Sequence, residues 1–331
     1  MTAYLRMAFG AAIFVTASVE AQAFDCGKAR SNVEIAICAN PDLIESDNAM
    51  AEVYLALRNS YSSAEKRSLS LSERRWVAAR EALCGNETGA AQVQCIARET
   101  EERKLLFTGR SLTGPGPSSR MAPVFLVQQP GPQLYEVDFA LIRFAEPQTP
   151  GETLFNREVE KLIAAAPMGR TDTEAPAGGY LSSTAIMKLT YASPQFISAA
   201  VSFSSFDGGA HGNSSTTNLN VDLNQGRLAD AAALFDGAAQ DRLFEDCKKQ
   251  IISQKIKNWP DGEYKVEDDS LYSGDTVRQH IADLSRWSFS QSTTSISFDA
   301  YSVGAYAEGP FACEFDTRLL REAANDNFPV E

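Results

Sequence analysis

Residues 110–123 read RSLTGPGPSSRMAP, and the hydrophobic pattern changes from one side of this stretch to the other. Three prolines, two glycines and three serines without apolar periodicity give it linker composition. Residues 108–123 are therefore expected to divide the chain into a helical domain over 24–107 and an α+β domain over 124–331.

N-terminal to the linker the spacing is helical. Ser31 with Glu34 forms a capping box that opens a short helix to Cys38. Asn40 followed by Pro41 is a second start signal, and Met50, Val53, Tyr54, Leu57 and Tyr61 then define one apolar face. A third helix carries Leu69, Trp76, Ala79 and Leu83 and stops at Cys84-Gly85; a fourth runs from Gly89 through Ile96 to Phe107. Trp76 reads as core, with Arg74, Arg75 and Arg80 on the flanking faces.

C-terminal to the linker the period is two. Ile197, Ala199, Val201 and Phe203 alternate with Ser198, Ala200, Ser202 and Ser204. Leu219, Val221 and Leu223 alternate with Asn218, Asn220 and Asp222, and shorter runs recur at Met187–Tyr191 and at Ile296 and Phe298. A long helix from about Ala239 to Lys257 is closed by Trp259-Pro260. These patterns predict a mostly antiparallel sheet packed on a long helix, its Ser-, Thr- and Asn-rich face toward water.

Residues 1–23, MTAYLRMAFGAAIFVTASVEAQA, have the form of an export signal: Arg6, then a short apolar stretch, then Ala21-Gln22-Ala23 before cleavage. The mature chain is expected in the periplasm or medium, without an integral membrane segment. Export makes disulfides of the six cysteines that follow: Cys26, Cys38, Cys84, Cys95, Cys247 and Cys313. Four precede the linker and two follow it, so each part is expected to close its own bridges. The loop between the third and fourth helices favours Cys84 with Cys95. Cys26 can then reach Cys38 only if residues 26–31 fold back, because a continuous helix would hold them roughly 18 Å apart. The other connectivities stay open. A Cys247–Cys313 bridge would pin the long helix to the sheet.

The chain carries a net charge of −13, and residues 108–331 hold 29 acidic against 18 basic residues. This argues strongly against a phosphate-backbone binder of nucleic acid. Two histidines, His211 and His280, argue against a multi-histidine metal site, and no C-x-x-C pair suggests zinc. No nucleophile elbow, P-loop or dinucleotide fingerprint is present, so no catalytic residue, metal or cofactor is assigned.

Phe24-Asp25-Cys26, Val33-Glu34, Ile37-Cys38, Pro41-Asp42-Leu43, Asp47 and Tyr54, continued by Glu73-Arg74-Arg75-Trp76, Arg80, Cys84, Cys95 and Arg103, resemble the LprI-type lysozyme-inhibitor domain. Asp207-Gly208-Gly209-Ala210-His211-Gly212, Asn220-Val221-Asp222, Gly226 and the stretch from Tyr301 to Pro310 are similar to the exported domain of RsiV and PdaC-type proteins. In RsiV-like anti-sigma factors that domain binds lysozyme, and in PdaC-like proteins it precedes a polysaccharide deacetylase. This chain has neither an internal membrane span nor the histidines of a deacetylase.

The partner-binding candidates lie in three loops. Asp207 and His211 flank a glycine-rich turn whose bland reading is purely conformational. Asp261, Glu263, Asp268 and Asp269 form an acidic run that could steer a cation or could be simply solvated. Tyr301, Tyr306 and Glu308 lie in a glycine-bearing loop after a strand, either a contact surface or a hairpin lock. The resemblances imply a non-catalytic binder of a cationic lysozyme-type muramidase. The alternative is a peptidoglycan- or glycan-binding envelope module acting through Tyr301 and Tyr306.

Overall fold

The computed structural model describes residues 25–131, 134–170, 181–258, 264–325 and 328–331; the export segment and Trp259-Pro260 lie outside them. The helical start signals act as read. Ser31 and Glu34 complete a reciprocal capping box on α1 (Asn32–Cys38), and the Asn40 side chain caps α2 (Pro41–Ser60) ahead of proline. α3 (Ser63–Cys84) and α4 (Gly89–Thr108) follow. A 3-10 turn over Cys26–Lys28 folds the N-terminal stretch back and allows Cys26–Cys38 to close, while the α3–α4 loop closes Cys84–Cys95. The third bridge, Cys247–Cys313, also forms.

The helical core is small: Val33, Ile37, Leu43 and Ile96 around the Cys84–Cys95 bridge, then Met50, Leu69 and Phe107. Two ion pairs sit inside it, Arg80 with Asp47 at 2.8 Å and Arg103 with Glu73 at 3.0 Å. Burial pushes the Glu73 carboxyl up, against the pull of Arg103. Trp76 is half-buried and packs against the Met50, Leu69 and Phe107 cluster at the edge of the core; the Arg80 and Arg103 guanidinium carbons lie 4.4 and 5.6 Å from its ring centroid. Arg80 therefore leaves its expected flanking face for the interior, because Asp47 and Thr100 accept its donors there.

The second part contains β1 (Met121–Gln128), β2 (Glu136–Phe144), α5 (Pro150–Ala165), β3 (Ser182–Ala192), β4 (Phe196–Phe206), β5 (Asn213–Asp222) and β6 (Arg227–Leu228). Then come α6 (Ala231–Leu234), α7 (Gly237–Asn258), α8 (Gly274–Ala282), β7 (Trp287–Ser288), β8 (Thr293–Phe298), β9 (Phe311–Asp316) and α9 (Thr317–Ala323). β1 to β6 form one sheet in sequence order, antiparallel except where β2 meets β3. β7, β8 and β9 form a second, antiparallel sheet.

The long helix α7 packs on this second sheet, where Cys247–Cys313 joins it to β9. The apolar face of the large sheet, with Phe139, Met187, Val201 and Val221, packs instead on α5 through Leu154, Phe155 and Val159. Each such large side chain contributes about 1.5–3 kcal/mol on burial.

The opposite face departs from expectation. Ser202 and Ser204 are exposed, but Ser198, Asn218 and Asn220 are buried. The Asn220 amide donates to the carbonyls of Leu284 and Trp287, Asn218 donates to Ser285, and Ser198 accepts from Phe289 N–H. The polar side chains of β4 and β5 thus satisfy the backbone of a second body lying across them, which is why polar residues can be buried there.

The other end of this face meets the helical domain. Residues of the 110–123 stretch run along β3, with Leu112 N–H on Leu189 and Gly116 N–H on Ala192. Gly114 has φ +90°, and a Cβ there would lie 2.2 Å from the Ala192 carbonyl oxygen, so this position requires glycine. Pairing begins at Met121, and Pro123 is accommodated because β1 is an edge strand. Phe125 of β1 closes the helical core against Phe107, and Arg75 of α3 donates to the carbonyls of Gln128 and Val137.

Candidate functional site

The buried stripe of α7, facing the second sheet, advances in steps of four: Leu243, Cys247, Ile251, Lys255. The first three are apolar or bridged, and the fourth is a lysine with no solvent exposure. A buried ammonium needs paired charge, and Lys255 Nζ finds Asp269 Oδ2 at 2.8 Å and Glu308 Oε2 at 3.0 Å. Tyr264 and Phe311 rings lie 5.7 and 5.2 Å from the same nitrogen.

Each carboxylate in turn fixes a loop. Asp269 Oδ1 accepts from the backbone N–H groups of Leu271 and Tyr272, and Oδ2 also accepts from Tyr264 Oη. Burial works to raise the Asp269 carboxyl, but the Lys255, Tyr264 and Leu271 hydrogen bonds hold it below its ordinary range. Burial, reinforced by Asp269, pushes the Tyr264 phenol up. Glu308 Oε1 accepts from Ala305 N–H at 2.6 Å, closing the 3-10 turn Tyr306–Glu308. Gly304 leaves the room this needs: a Cβ there would lie 2.9 Å from Lys255 Nζ and 2.8 Å from Glu308 Oε1.

Above this clamp the loop presents aromatic rings. Tyr306 stacks on His211 with ring centroids 3.8 Å apart, and its hydroxyl donates to the Gly212 carbonyl at 2.9 Å. Tyr301 lies 5.5 Å from Tyr306, is 62% exposed, and has φ +70°. A bulky residue held in left-handed backbone and turned to solvent is locally strained, and such strain is retained where neighbouring structure enforces it. The turn that contains Tyr301 is closed by Ser302 N–H on the Asp299 carbonyl, and the Asp299 carboxylate is anchored in turn by Thr216 N–H and by Arg286 at 2.8 Å each.

The structure therefore gathers His211, Tyr301, Tyr306, Glu308 and Asp269 into one neighbourhood, from three loops that the sequence marks separately. Asp268 is exposed beside Asp269, whereas Asp261 and Glu263 lie outside the described residues. Asp269 and Glu308 are engaged inward by Lys255 and are not free surface charges. Asp207 stands apart, its Oδ1 accepting from Tyr135 Oη at 2.6 Å. Lys255 is the member that sequence reasoning misses; its signal is a charged residue on the apolar step of a helix. Among the described residues no three His, Cys, Asp or Glu side chains converge to hold a metal ion, and no helix is long and apolar enough to cross a membrane.

Two solved structures of DUF3298 family proteins are similar to this chain, each with a TM-score of 0.44. One, from Bacteroides fragilis, is 13% identical and covers 64% of this chain and 95% of its own. The other, from Pseudomonas aeruginosa, is 15% identical and covers 63% of this chain and 96% of its own. No curated protein matches the chain. A family model described as "Lysozyme inhibitor LprI" matches residues 26–105, which span all four helices up to the last turn of α4 together with both N-terminal disulfides. The N-terminal part of this chain is thus an LprI-type domain, set ahead of an α+β domain with a mostly antiparallel sheet.

Proposed function

We propose that the protein is exported and, without catalysing a reaction itself, binds a cationic lysozyme-type muramidase and blocks it. The observation that carries this reading is the match of residues 26–105 to a family named for lysozyme inhibition. The charge supports it: the excess of acidic residues after position 107 favours encounter with a basic protein. The Tyr301–Tyr306–His211 cluster offers aromatic side chains of the kind that dominates interface energetics. Exposed Glu267 and Asp268 lie on the neighbouring turn, suited to the basic rim of such a partner.

The test is a cell-wall turbidity assay with a c-type lysozyme and the mature chain. Lysis should slow at equimolar protein, and protection should weaken as salt shortens the Debye length to below about 10 Å. Tyr301→Ala should reduce protection while leaving thermal unfolding unchanged. Unimpeded lysis at excess protein and low salt, with no complex on gel filtration, would refute the proposal.

A further inference from the structure

The helical domain and the large sheet enclose a cleft of about 670 Å³ where α3 and α4 face the uncovered middle of the sheet's polar face. Both its size and its place at a domain junction are those of ligand sites. Thr184 and Ile186 of β3 and Ser204 of β4 form its floor; Trp76 and Leu106 contribute walls. Ile186 is 39% exposed, an apolar group standing on a hydroxyl-bearing strand face.

The cations lining this cleft are already matched. Arg75 pairs with Glu136, Arg103 with Glu73 at 3.0 Å, and Lys188 with Glu102 at 2.7 Å. Asp138 is different. It lines the cleft, is only 5% exposed, and its Oδ1 has no hydrogen-bond partner. Burial raises its carboxyl above the ordinary range, although Ser72, Arg103 and Arg75 work against that. A buried carboxylate oxygen without a donor is costly, and a cation arriving with its own apolar stem would relieve it.

We propose that this cleft receives an arginine or lysine side chain of the protein partner, its methylene stem against Ile186 and Leu106 and its charged head at Asp138. Long basic side chains have this amphipathic character, apolar along the stem and charged at the tip. The inference rests on the proposed function in taking a basic protein as the partner, and it adds a second contact remote from the tyrosine tip.

The experiment uses the full mature chain, isotope-labelled, with the Trp76 indole N–H assigned by comparison with Trp76→Phe. The probe is the acetylated and amidated peptide Gly-Arg-Gly, compared with its citrulline counterpart, which keeps the shape and loses the charge. The arginine peptide should shift the Trp76 signal saturably, the citrulline peptide should not, and Asp138→Asn should weaken the response about tenfold or more. No saturable shift, equal shifts from both peptides, or a shift produced only by N-acetylglucosamine trisaccharide would each overturn the assignment. Thermal unfolding of Asp138→Asn controls for folding: a cooperative transition well above the assay temperature shows that a weakened response reports the cleft and not an unfolded chain.

Affinity for c-type lysozyme then separates the two claims. Tight binding that Asp138→Asn leaves unchanged would sink the cleft contact and spare the proposed function. Arginine-peptide capture by a chain that binds no lysozyme would do the reverse.

Discussion

Replacing Lys255 with methionine keeps the length of the side chain and removes its charge. The lysine has no solvent exposure, and its partners Asp269 and Glu308 are about one-tenth exposed, so two carboxylates would be left facing one another without a cation. Breaking such a buried group by removing one member costs about 3–5 kcal/mol. For a domain of this size each kcal/mol lowers the Tm by about 2–4 °C, so Lys255→Met should lose about 6–20 °C. Neutralising the carboxylates as well, with Asp269→Asn and Glu308→Gln, should restore most of it, because a wholly apolar or neutral replacement leaves no uncompensated charge.

The pH dependence follows with a definite sign. In the native protein the Asp269 carboxyl is held below its unfolded value, so its contribution is present above that value and is lost as pH falls through the folded one. In Lys255→Met the Asp269 carboxyl loses the lysine hydrogen bond and charge that lower it while burial still raises it, so that variant should gain relative to the native protein on acidification. The gap between the two melting curves should narrow as pH falls. Differential scanning fluorimetry from neutral to acid pH reads all three proteins. A single variant within about 2 °C of the native Tm at neutral pH, or no more destabilised than the triple variant, would refute the assignment of Lys255 as the clamp.

Two further outcomes are expected. His280, stacked on Phe298 at 4.5 Å and hydrogen-bonded to the Ser297 carbonyl, is pushed below its ordinary value chiefly by burial. Its neutral form stabilises the fold fully above about pH 6.5 and progressively less as pH drops toward the lower folded value; His280→Gln should flatten that part of a stability-versus-pH curve. Cys247→Ser with Cys313→Ser opens a bridge of sequence separation 66, and loop-closure entropy puts the loss near about 4 kcal/mol. Denaturant titration should register this as a lower midpoint; an unchanged midpoint would contradict the pinning role of the bridge.

Local signals in the sequence were sufficient wherever the physics is itself local. The capping box at Ser31 and Glu34, the Asn40-Pro41 start and the two-residue alternation from Ile197 to Ser204 each act within a turn or a strand, and each element formed where it was read. The Cys84–Cys95 pairing was legible for the same reason, since a short loop brings the two ends together. Charge balance and cysteine placement were likewise properties of composition.

Tertiary structure alone decided what covers what. Asn218 and Asn220 look like a solvated strand face until Leu284, Ser285 and Trp287 arrive from more than sixty positions away to use their amides. Lys255 looks like an ordinary helix-surface lysine until Asp269 and Glu308 close over it, and Asp138 looks like one more acid among 43 until the helical domain shuts it from water. The free energy of a polar group depends on whether water is replaced by a partner, and that replacement is made by chain segments no short-range pattern connects.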